Sequence, residues 1–380
     1  MSFDAVVLGL GIMGSATVYQ LARRGLRVLG LDAYERGHAR GSSHGTSRAI
    51  RKAYFQAPQY VPLVERAYTM WQQLEVESGQ ALLQVTGSLL VGPPSSRQIA
   101  GTIASATRHR LPFEALDQRE VSQRFPGFRL LDDLTAVLEP SGGVLNAERC
   151  LATLQTLAQQ LGAELRHGEA VRHWAANGDG LRVHTDLASC TTDRLIVTAG
   201  PWAGAVLADL NLPLSVRRVV NIHVRPTSPE LYAPESCPTF AMALPGGDYY
   251  GMADHGVKIG RGNVGEVCTP DTVRRAVDAE EIAHFLAVLE RYLPGAHGQV
   301  TSTLTCLYTM TPDSHFVLDL HPDDSRVAYA CGFSGHGFKF APVIGEVLAD
   351  LVVDGCTNQP VEFLSAARFG RFERTPGIPD

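Results

Sequence analysis

The sequence predicts an α/β (α+β) protein: a Rossmann-type nucleotide-binding domain, discontinuous along the chain, joined to a second, mainly antiparallel-sheet domain. Three observations lead there. Residues 3–14 read Phe-Asp-Ala-Val-Val-Leu-Gly-Leu-Gly-Ile-Met-Gly, and Asp32 follows eighteen positions after the last glycine. Strand and helix patterns recur at both ends and in the middle of the chain. Between them, residues 216–260 read as short strands with turns at Pro245-Gly-Gly and Asp254-His-Gly.

The opening segment carries the most information. Residues 3–8 are a short apolar run, as a strand buried on both faces requires. Gly9 allows a tight turn, Gly11 allows backbone to approach a pyrophosphate, and Gly14 allows the next helix to pack closely on the strand. The predicted helix over 15–24 directs its N–H groups and positive dipole end at the phosphates. A second strand, Val28-Leu29-Gly30-Leu31, delivers Asp32 to accept from a ribose hydroxyl.

Further along, Leu63, Val64, Ala67, Met70, Trp71 and Leu74 share one helical face over 62–77. A strand is expected over 87–92, a helix over 96–110, a turn at Pro140-Ser-Gly-Gly and a helix over 147–161. Short strands follow near 164–171 and 181–185, and a buried strand over 195–200. A helix over 278–292 ends at Pro294-Gly295. Strands at 303–309, 316–319 and 327–331 precede a closing helix over 341–353.

Bulk properties exclude several classes. The 380 residues carry a net charge of −6, with 45% hydrophobic and 19% charged residues. No global positive field recruits nucleic acid or an acidic membrane. No apolar run reaches the roughly 18–20 residues of a membrane span. The N-terminus enters a strand almost at once, with no basic leader and cleavage site. Cys150, Cys190, Cys237, Cys268, Cys306, Cys331 and Cys356 are scattered, without a C-x-x-C pair. They read as reduced thiols, and the cytoplasm is the expected location.

Five clusters bear on chemistry. Gly41-Ser-Ser-His44-Gly45-Thr-Ser-Arg48-Ala-Ile-Arg51 suits a loop entering a helix beside an anion, with Arg48 and Arg51 on adjacent turns of one face; the alternative is a solvated basic helix start. Leu195–Gly200, followed by Pro201 and Trp202, is a strand whose terminal glycine permits close approach of a ligand; an ordinary core strand is the competing reading. Thr305-Cys306-Leu-Tyr308 holds a cysteine that on composition alone reads as inert core. Gly335-His336-Gly337-Phe-Lys339 opens the last helix with N–H donors and a cation. Lys258 alternates within a strand after Tyr249-Tyr250-Gly251, either solvated or buried with its charge tuned.

Taken together, these stretches resemble the monomeric sarcosine oxidase and N-methyl-L-tryptophan oxidase family of covalent flavoproteins, within the D-amino-acid-oxidase-like FAD enzymes. The resemblance spans essentially the whole chain. It rests on Gly-Ser-Ser-His-Gly-Thr-Ser-Arg-Ala-Ile-Arg at 41–51, Tyr-Tyr-Gly at 249–251, Thr-Cys-Leu-Tyr at 305–308, Phe-Val-Leu-Asp at 316–319 and Gly-Phe-Ser-Gly-His-Gly-Phe-Lys-Phe at 332–340. It implies an FAD-binding domain formed by 1–88, 143–214 and 304–380, and a substrate domain formed by 89–142 and 215–303.

The resemblance also implies roles. Cys306 would carry FAD through a thioether at the flavin 8-methyl group. Arg51 and Lys339 would hold the substrate carboxylate. Arg48 would stack near the flavin ring, with His44 bordering it. Lys258 would promote the reaction with dioxygen through a water at flavin N5. Tyr250 and Tyr308 would line the substrate cavity. Gly9, Gly11, Gly14, Asp32, Ser42, Gly200, Trp202, Gly335 and Gly337 would complete the cofactor contacts. A monomer is implied.

Two positions depart from the family pattern. The relatives place a histidine four residues after the lysine, where this chain has Gly262. Ala241, with Met242 adjacent, stands where the sarcosine enzyme has a methionine. The loop between Tyr250 and Lys258 is also shorter. Less side-chain volume predicts a substrate larger than sarcosine, since a small one would be loosely positioned.

The expected function is therefore oxidation of a secondary-amine amino acid, an N-methyl or N-alkyl L-amino acid, to an imine, with O2 reduced to H2O2. The alternatives are a cyclic imino acid such as pipecolate or proline, a fructosyl amino acid, or a dehydrogenase of the same fold using another electron acceptor. A nicotinamide enzyme would leave Cys306 and the 335–339 cluster without a role. A non-catalytic flavin-binding module would leave Arg51, Lys258 and Lys339 without one.

Overall fold

The opening strand Ser2–Leu8 is flanked on both sides by parallel partners, and this fixes the first half of the architecture. It pairs with Val28–Asp32 on one side and with Ser189–Val197 on the other. The computed structural model describes residues 1–131, 133–262 and 265–370. Glu164–His167 extends the parallel set beyond Val28–Asp32, and Asp324–Cys331 joins Ser189–Val197 in parallel. Antiparallel strands Val171–Asn177, Gly180–Thr185 and Val317–His321 complete a sheet of eight. The carboxyl halves of its central strands are buried: Val6, Val7, Leu29, Leu195 and Ile196 are fully inaccessible. That is why they read as continuous apolar runs rather than alternating ones.

Helix Ile12–Arg23 packs between Ala341–Asp354 and Ala147–Gln160. A Cβ on Gly345 would lie 2.6 Å from Ala16 C, so this glycine sets the close approach of two helices. The first helix begins at Ile12, earlier than the residue 15 expected, because Gly11 caps it and Ser43 Oγ accepts from Ile12 N at 3.0 Å. Gly14 thus lies inside the helix.

The second sheet has nine strands, mainly antiparallel. Its order runs Val267–Cys268, Ser215–Pro226, Val257–Gly262, Gly247–Ala253, Thr239–Leu244, Ser88–Gly92, Thr135–Glu139 and Glu114–Leu116, with Gly298–Met310 along the other edge of Ser215–Pro226. One pairing, Thr239–Leu244 with Ser88–Gly92, is parallel. Its own apolar core includes Leu89, Phe240, Ile259, Phe285 and Leu289. Gly298–Met310 runs across the 303/304 boundary expected from sequence, so Cys306 and Tyr308 ride on the second sheet. Of the expected nucleotide-domain segment 304–380, residues 371–380 lie outside the described residues.

One expectation fails outright. Arg48 and Arg51 do not share a helical face. Ser47–Ile50 is a strand, paired antiparallel with Gly143–Asn146, and Leu83–Val85 completes this three-stranded sheet. The small hydroxyls and glycines that look like a helix entry are a crossing segment, and its hydrogen-bond partner comes from far along the chain.

Candidate active site

A cavity of about 920 Å³ runs between the two sheets. The carboxyl ends of the parallel strands form one end of it. The second sheet presents one face along the other end. That face carries Thr239 and Ala241; Asp248, Tyr250 and Met252; and Lys258 and Gly262, all of which line the cavity. Alternation along paired strands puts them on one side.

At the first end, Gly9 has φ +89°, and a Cβ there would lie 2.5 Å from Thr198 O. Only glycine lets the turn sit this close to the neighbouring strand. Gly11 and Gly200 border the cavity. Gly14 does not. A Cβ on it would collide with Gly9 O and Thr198 Oγ1, so its work is helix–strand packing rather than ligand contact. Asp32 is buried, and its carboxylate accepts from Leu10 N at 2.8 Å and Tyr34 N at 2.9 Å. Burial raises its pKa, but the His38 contact and the two backbone donors outweigh that and hold the carboxyl below its usual range. Trp202 lies beside Tyr34 at the rim, its ring tilted by 45° and the centroids 5.2 Å apart.

The middle of the cavity is shaped by the 41–51 segment. Arg48 donates to Ser47 O, Ser42 O and His44 O, so its guanidinium is pinned by carbonyls over the Phe338 ring. Ser42 Oγ donates to Leu307 O at 2.6 Å, which ties this segment to the strand of Cys306. His44 Nε2 donates to Thr305 O at 3.1 Å. Burial, then the Arg48 charge, pushes the imidazole down to about 4, so it is neutral at pH 7 and its Nδ1 is an acceptor. Of the seven cysteines, all of them free thiols, Cys306 alone lines the cavity. Gly335, at φ +78°, lies against the Tyr308 ring, where a Cβ would overlap it. Gly337 packs on Phe333 in the same way.

The far end is cationic on one wall. Arg51 is buried, lies 4.4 Å above the Phe55 ring, and donates to Gln56 Oε1 at 3.2 Å. Lys339 is buried, donates to His336 O at 2.9 Å and sits 5.2 Å over the Tyr54 ring. Burial and the Arg51 charge push Lys339 well below its usual range. On the facing wall, Tyr308 donates to Tyr250 at 3.0 Å, and Tyr250 donates to Asn221 Oδ1 at 2.8 Å. Burial raises both phenols, so both remain protonated donors. Lys258 donates to Ser47 O at 3.0 Å. Burial and Arg48 lower it to about 7, against the opposing charge of Asp254.

Several functional residues carry no sequence signal strong enough to single them out. Glu139 is fully buried and accepts from Lys52 N, Ala53 N and Ser141 Oγ, fixing the backbone that follows Arg51. Tyr54 donates to His336 Nδ1 at 2.6 Å, while His336 Nε2 donates to Ser314 O. Asn221 anchors the tyrosine chain. A lone acid ending the apolar run Ala136-Val-Leu-Glu139 is the only cue that points to any of them.

A dinucleotide with a redox-active ring fits these residues. The glycine turn opens at one end. His44 Nδ1, Arg51 Nε, Gln155 Oε1 and His167 Nδ1 are buried without a hydrogen-bond partner among the described residues, and all four residues line this cavity. Buried polar atoms rarely stay unpaired unless a ligand completes them. Residues 4–351 match the FAD dependent oxidoreductase family. The chain belongs to that family. It is 38% identical to the monomeric sarcosine oxidase of Streptomyces avermitilis, over 97% of this chain and 98% of that one. It is 32% identical to the N-methyl-L-tryptophan oxidase of Yersinia pestis, over 97% and 100%. Among solved structures, NikD, an amino acid oxidase essential for nikkomycin biosynthesis, superposes with a TM-score of 0.85 at 28% identity, covering 96% of this chain and 97% of that one. The protein is thus a flavin-dependent oxidoreductase acting on CH–NH donors, and FAD is its cofactor. No described helix is long and apolar enough to cross a membrane.

Proposed function

We propose that this flavin-dependent oxidoreductase oxidises a secondary-amine amino acid larger than sarcosine, an N-methyl or N-alkyl L-amino acid, to its imine, with O2 reduced to H2O2. The amine loses two electrons and two protons, and O2 gains both. The observation that carries this reading is one cavity that places the cations Arg51 and Lys339 on one wall and Lys258 on another, with Cys306 between the sheets. Bound FAD supplies the two-electron acceptor. Gly9, Gly11, Asp32, Ser42, Gly200 and Trp202 would hold its dinucleotide portion. Arg48, His44, Cys306, Gly335 and Gly337 would border its ring.

The side chains do the rest. Arg51 offers a planar fork and Lys339 a point charge, the complement of a carboxylate. With Arg48 they make a positive field, which lowers the proton affinity of a bound amine and favours the neutral form that can be oxidised. Tyr250 and Tyr308 shape the wall beside it. The bound acid is enclosed between Phe55 and the second sheet, which excludes water and fixes orientation. A monomer in the cytoplasm is part of the same reading.

The size of the substrate follows from the floor. A Cβ on Gly262 would meet no described atom nearer than 3.8 Å, and Ala241 also borders the cavity with a single methyl. Gly262→Leu is expected to lower kcat/KM for bulky N-alkyl amino acids by about tenfold or more, as one or two misplaced methylenes do, and to lower it least for sarcosine. A greater loss for sarcosine than for the bulky substrates rejects the assignment of this floor.

The link to FAD is proposed to be covalent through Cys306. Acid denaturation should leave flavin on the polypeptide, and Cys306→Ser should release it. Flavin equally retained, or equally released, by both proteins rejects the link. The activity itself is tested by anaerobic mixing with a panel of secondary amines, read as loss of visible flavin absorbance, followed by a peroxide assay in air. Bleaching without peroxide favours a dehydrogenase with another acceptor. No bleaching by any N-alkyl or cyclic imino acid overturns the reading.

A further inference from the structure

Of the 33 Lys and Arg residues, only Lys52, Lys258 and Lys339 are lysines. Arginine keeps its charge, whereas a buried lysine can give up and regain a proton. Lys258 borders the cavity and is 3% exposed, and a chain of hydrogen bonds leads from it to an exposed residue. Lys258 Nζ lies 3.3 Å from Ser47 Oγ. Ser47 Oγ donates to Asp254 Oδ2 at 2.5 Å. The same oxygen is 3.2 Å from His223 Nε2, and His223 Nδ1 is 3.2 Å from the hydroxyl of Ser302, an exposed residue. Side-chain exposure falls inward along this chain, from 15% at His223 to 8% at Asp254.

We propose that Lys258 exchanges its proton with solvent through Ser47, Asp254 and His223 to Ser302, and that Asp254 holds the lysine in its ammonium form. The proposal rests on reading Lys258 as the working cation of the oxygen-facing wall.

The fold fixes each member. Asp254 sits in the tight turn before Val257–Gly262, with His255 at φ +51° and Gly256 at φ +127°. A Cβ on Gly256 would lie 2.5 Å from Val224 O, so the turn is pressed on the strand that carries His223. His223 is also the cross-strand partner of Lys258. The carboxylate has a third donor, Thr46 Oγ1, on the same Oδ2. Burial opposes its charge, but the contacts from His223, Ser47 and Thr46, and the Lys258 charge, outweigh burial and hold the carboxyl below its usual range. The groups that face Lys258 are Arg48 on Ser47–Ile50, Asp254 at the turn and Cys306 on Gly298–Met310. Arg48 drives the proton off, and the Asp254 charge retains it.

The proton count closes without electrons. His223 takes a proton on Nδ1 at Ser302 and releases the one on Nε2 to Asp254 Oδ2. Asp254 passes it to Ser47 Oγ as Ser47 gives its own to the Lys258 amine. One proton leaves solvent, one ammonium forms, and the relay groups return to their starting forms once the imidazole proton resets. Asp254 and His223 are positioning residues, since neither borders the cavity.

The test uses holoenzyme labelled with 15N at lysine Nζ, where only three side-chain signals arise and Lys52→Arg identifies one. Asp254→Asn is expected to lower the Lys258 titration midpoint by about one pH unit or more, the size expected when an opposite charge a few ångströms away is removed. His223→Ala is expected to leave that midpoint nearly in place, to slow hydrogen exchange at Lys258 Nζ about tenfold or more, and to be rescued by added imidazole. An unmoved midpoint in Asp254→Asn overturns the charge role. Unslowed exchange in His223→Ala overturns the route, and that variant decides alone if Asp254→Asn does not fold. Both readouts are independent of turnover, so failure of the oxidase reading shows separately, as absence of bleaching by secondary amines.

Discussion

Replacing Arg51 with Met is expected to lower kcat/KM by about 10²–10³-fold, chiefly through KM, and Lys339→Met should do the same. A hydrogen bond to a charged group contributes about 1.5–3 kcal/mol, and truncating one member of a buried charge contact costs about 2–5 kcal/mol. Every 1.4 kcal/mol is about tenfold, so the first figure spans about 10- to 150-fold and the second about 30- to 4,000-fold, and together they bracket the stated range. The two variants should not add, because both cations grip one carboxylate. The surroundings sharpen the expectation. Arg51 Nε is buried without a partner among the described residues. Lys339 is pushed well below its usual range by burial and by Arg51. Burial and the Arg51 charge thus weaken the lysine's hold on its proton in the free enzyme. A bound carboxylate favours the ammonium, raises the pKa, and draws in a proton. Binding of a simple carboxylate inhibitor should accordingly tighten as pH falls from the bound-state midpoint to the free-enzyme midpoint and level off below it. Calorimetry in two buffers of different ionisation enthalpy should register proton uptake, which Lys339→Met abolishes. Unchanged steady-state kinetics in both variants excludes the clamp.

The parts of this site that were legible in the sequence are those whose meaning is local. The turn at Gly9, the acid at Asp32 and the strands on either side lie within one βαβ unit, so spacing alone places them. The Gly335–Lys339 loop and the Tyr250–Lys258 hairpin likewise carry their chemistry within a few residues. The spacing of Arg48 and Arg51 suggests a helical face, whereas the strand Ser47–Ile50 exists only through its pairing with Gly143–Asn146. A three-residue separation puts two side chains on one helical face but on opposite faces of a strand. The two arginines accordingly stand differently: Arg48 is tied to backbone carbonyls, and Arg51 lies over the Phe55 ring beside Gln56. Glu139, Tyr54, Asn221 and the Asp254–His223 pair stayed illegible for a related reason. Each is defined by a partner that another element brings to it, and neither periodicity nor composition encodes that partner. The short helix Gln118–Arg124 is a different case. Its capping box, Asp117 with Glu120, is a local signal that can be read directly.

Replacing Lys258 with Met is expected to slow the reaction of the reduced enzyme with O2 by about 10²–10³-fold, the usual cost of removing one preorganised donor from developing negative charge. Anaerobic reduction by substrate should change far less. The asymmetry follows from placement. The proposed clamp residues Arg51 and Lys339 stand on the wall made by 51–56 and 336–340, whereas Lys258 reaches from the second sheet toward Ser47 and lies near Arg48 and Cys306. Electrons passing to O2 create negative charge, and a cation in a low-dielectric pocket stabilises it more than in water. Loss of the ammonium removes that stabilisation while leaving the carboxylate grip intact. Stopped-flow measurement of the two half-reactions separates the effects, and equal slowing of both rejects the oxygen-facing role. The ammonium must also be present to act, and burial with Arg48 brings Lys258 down to about 7. Below that pH it is charged and above it neutral, so wild-type oxygen reactivity should decline as pH rises through the Lys258 midpoint. The Met variant should lose that dependence. A Met variant that retained the same decline would place the titrating group elsewhere.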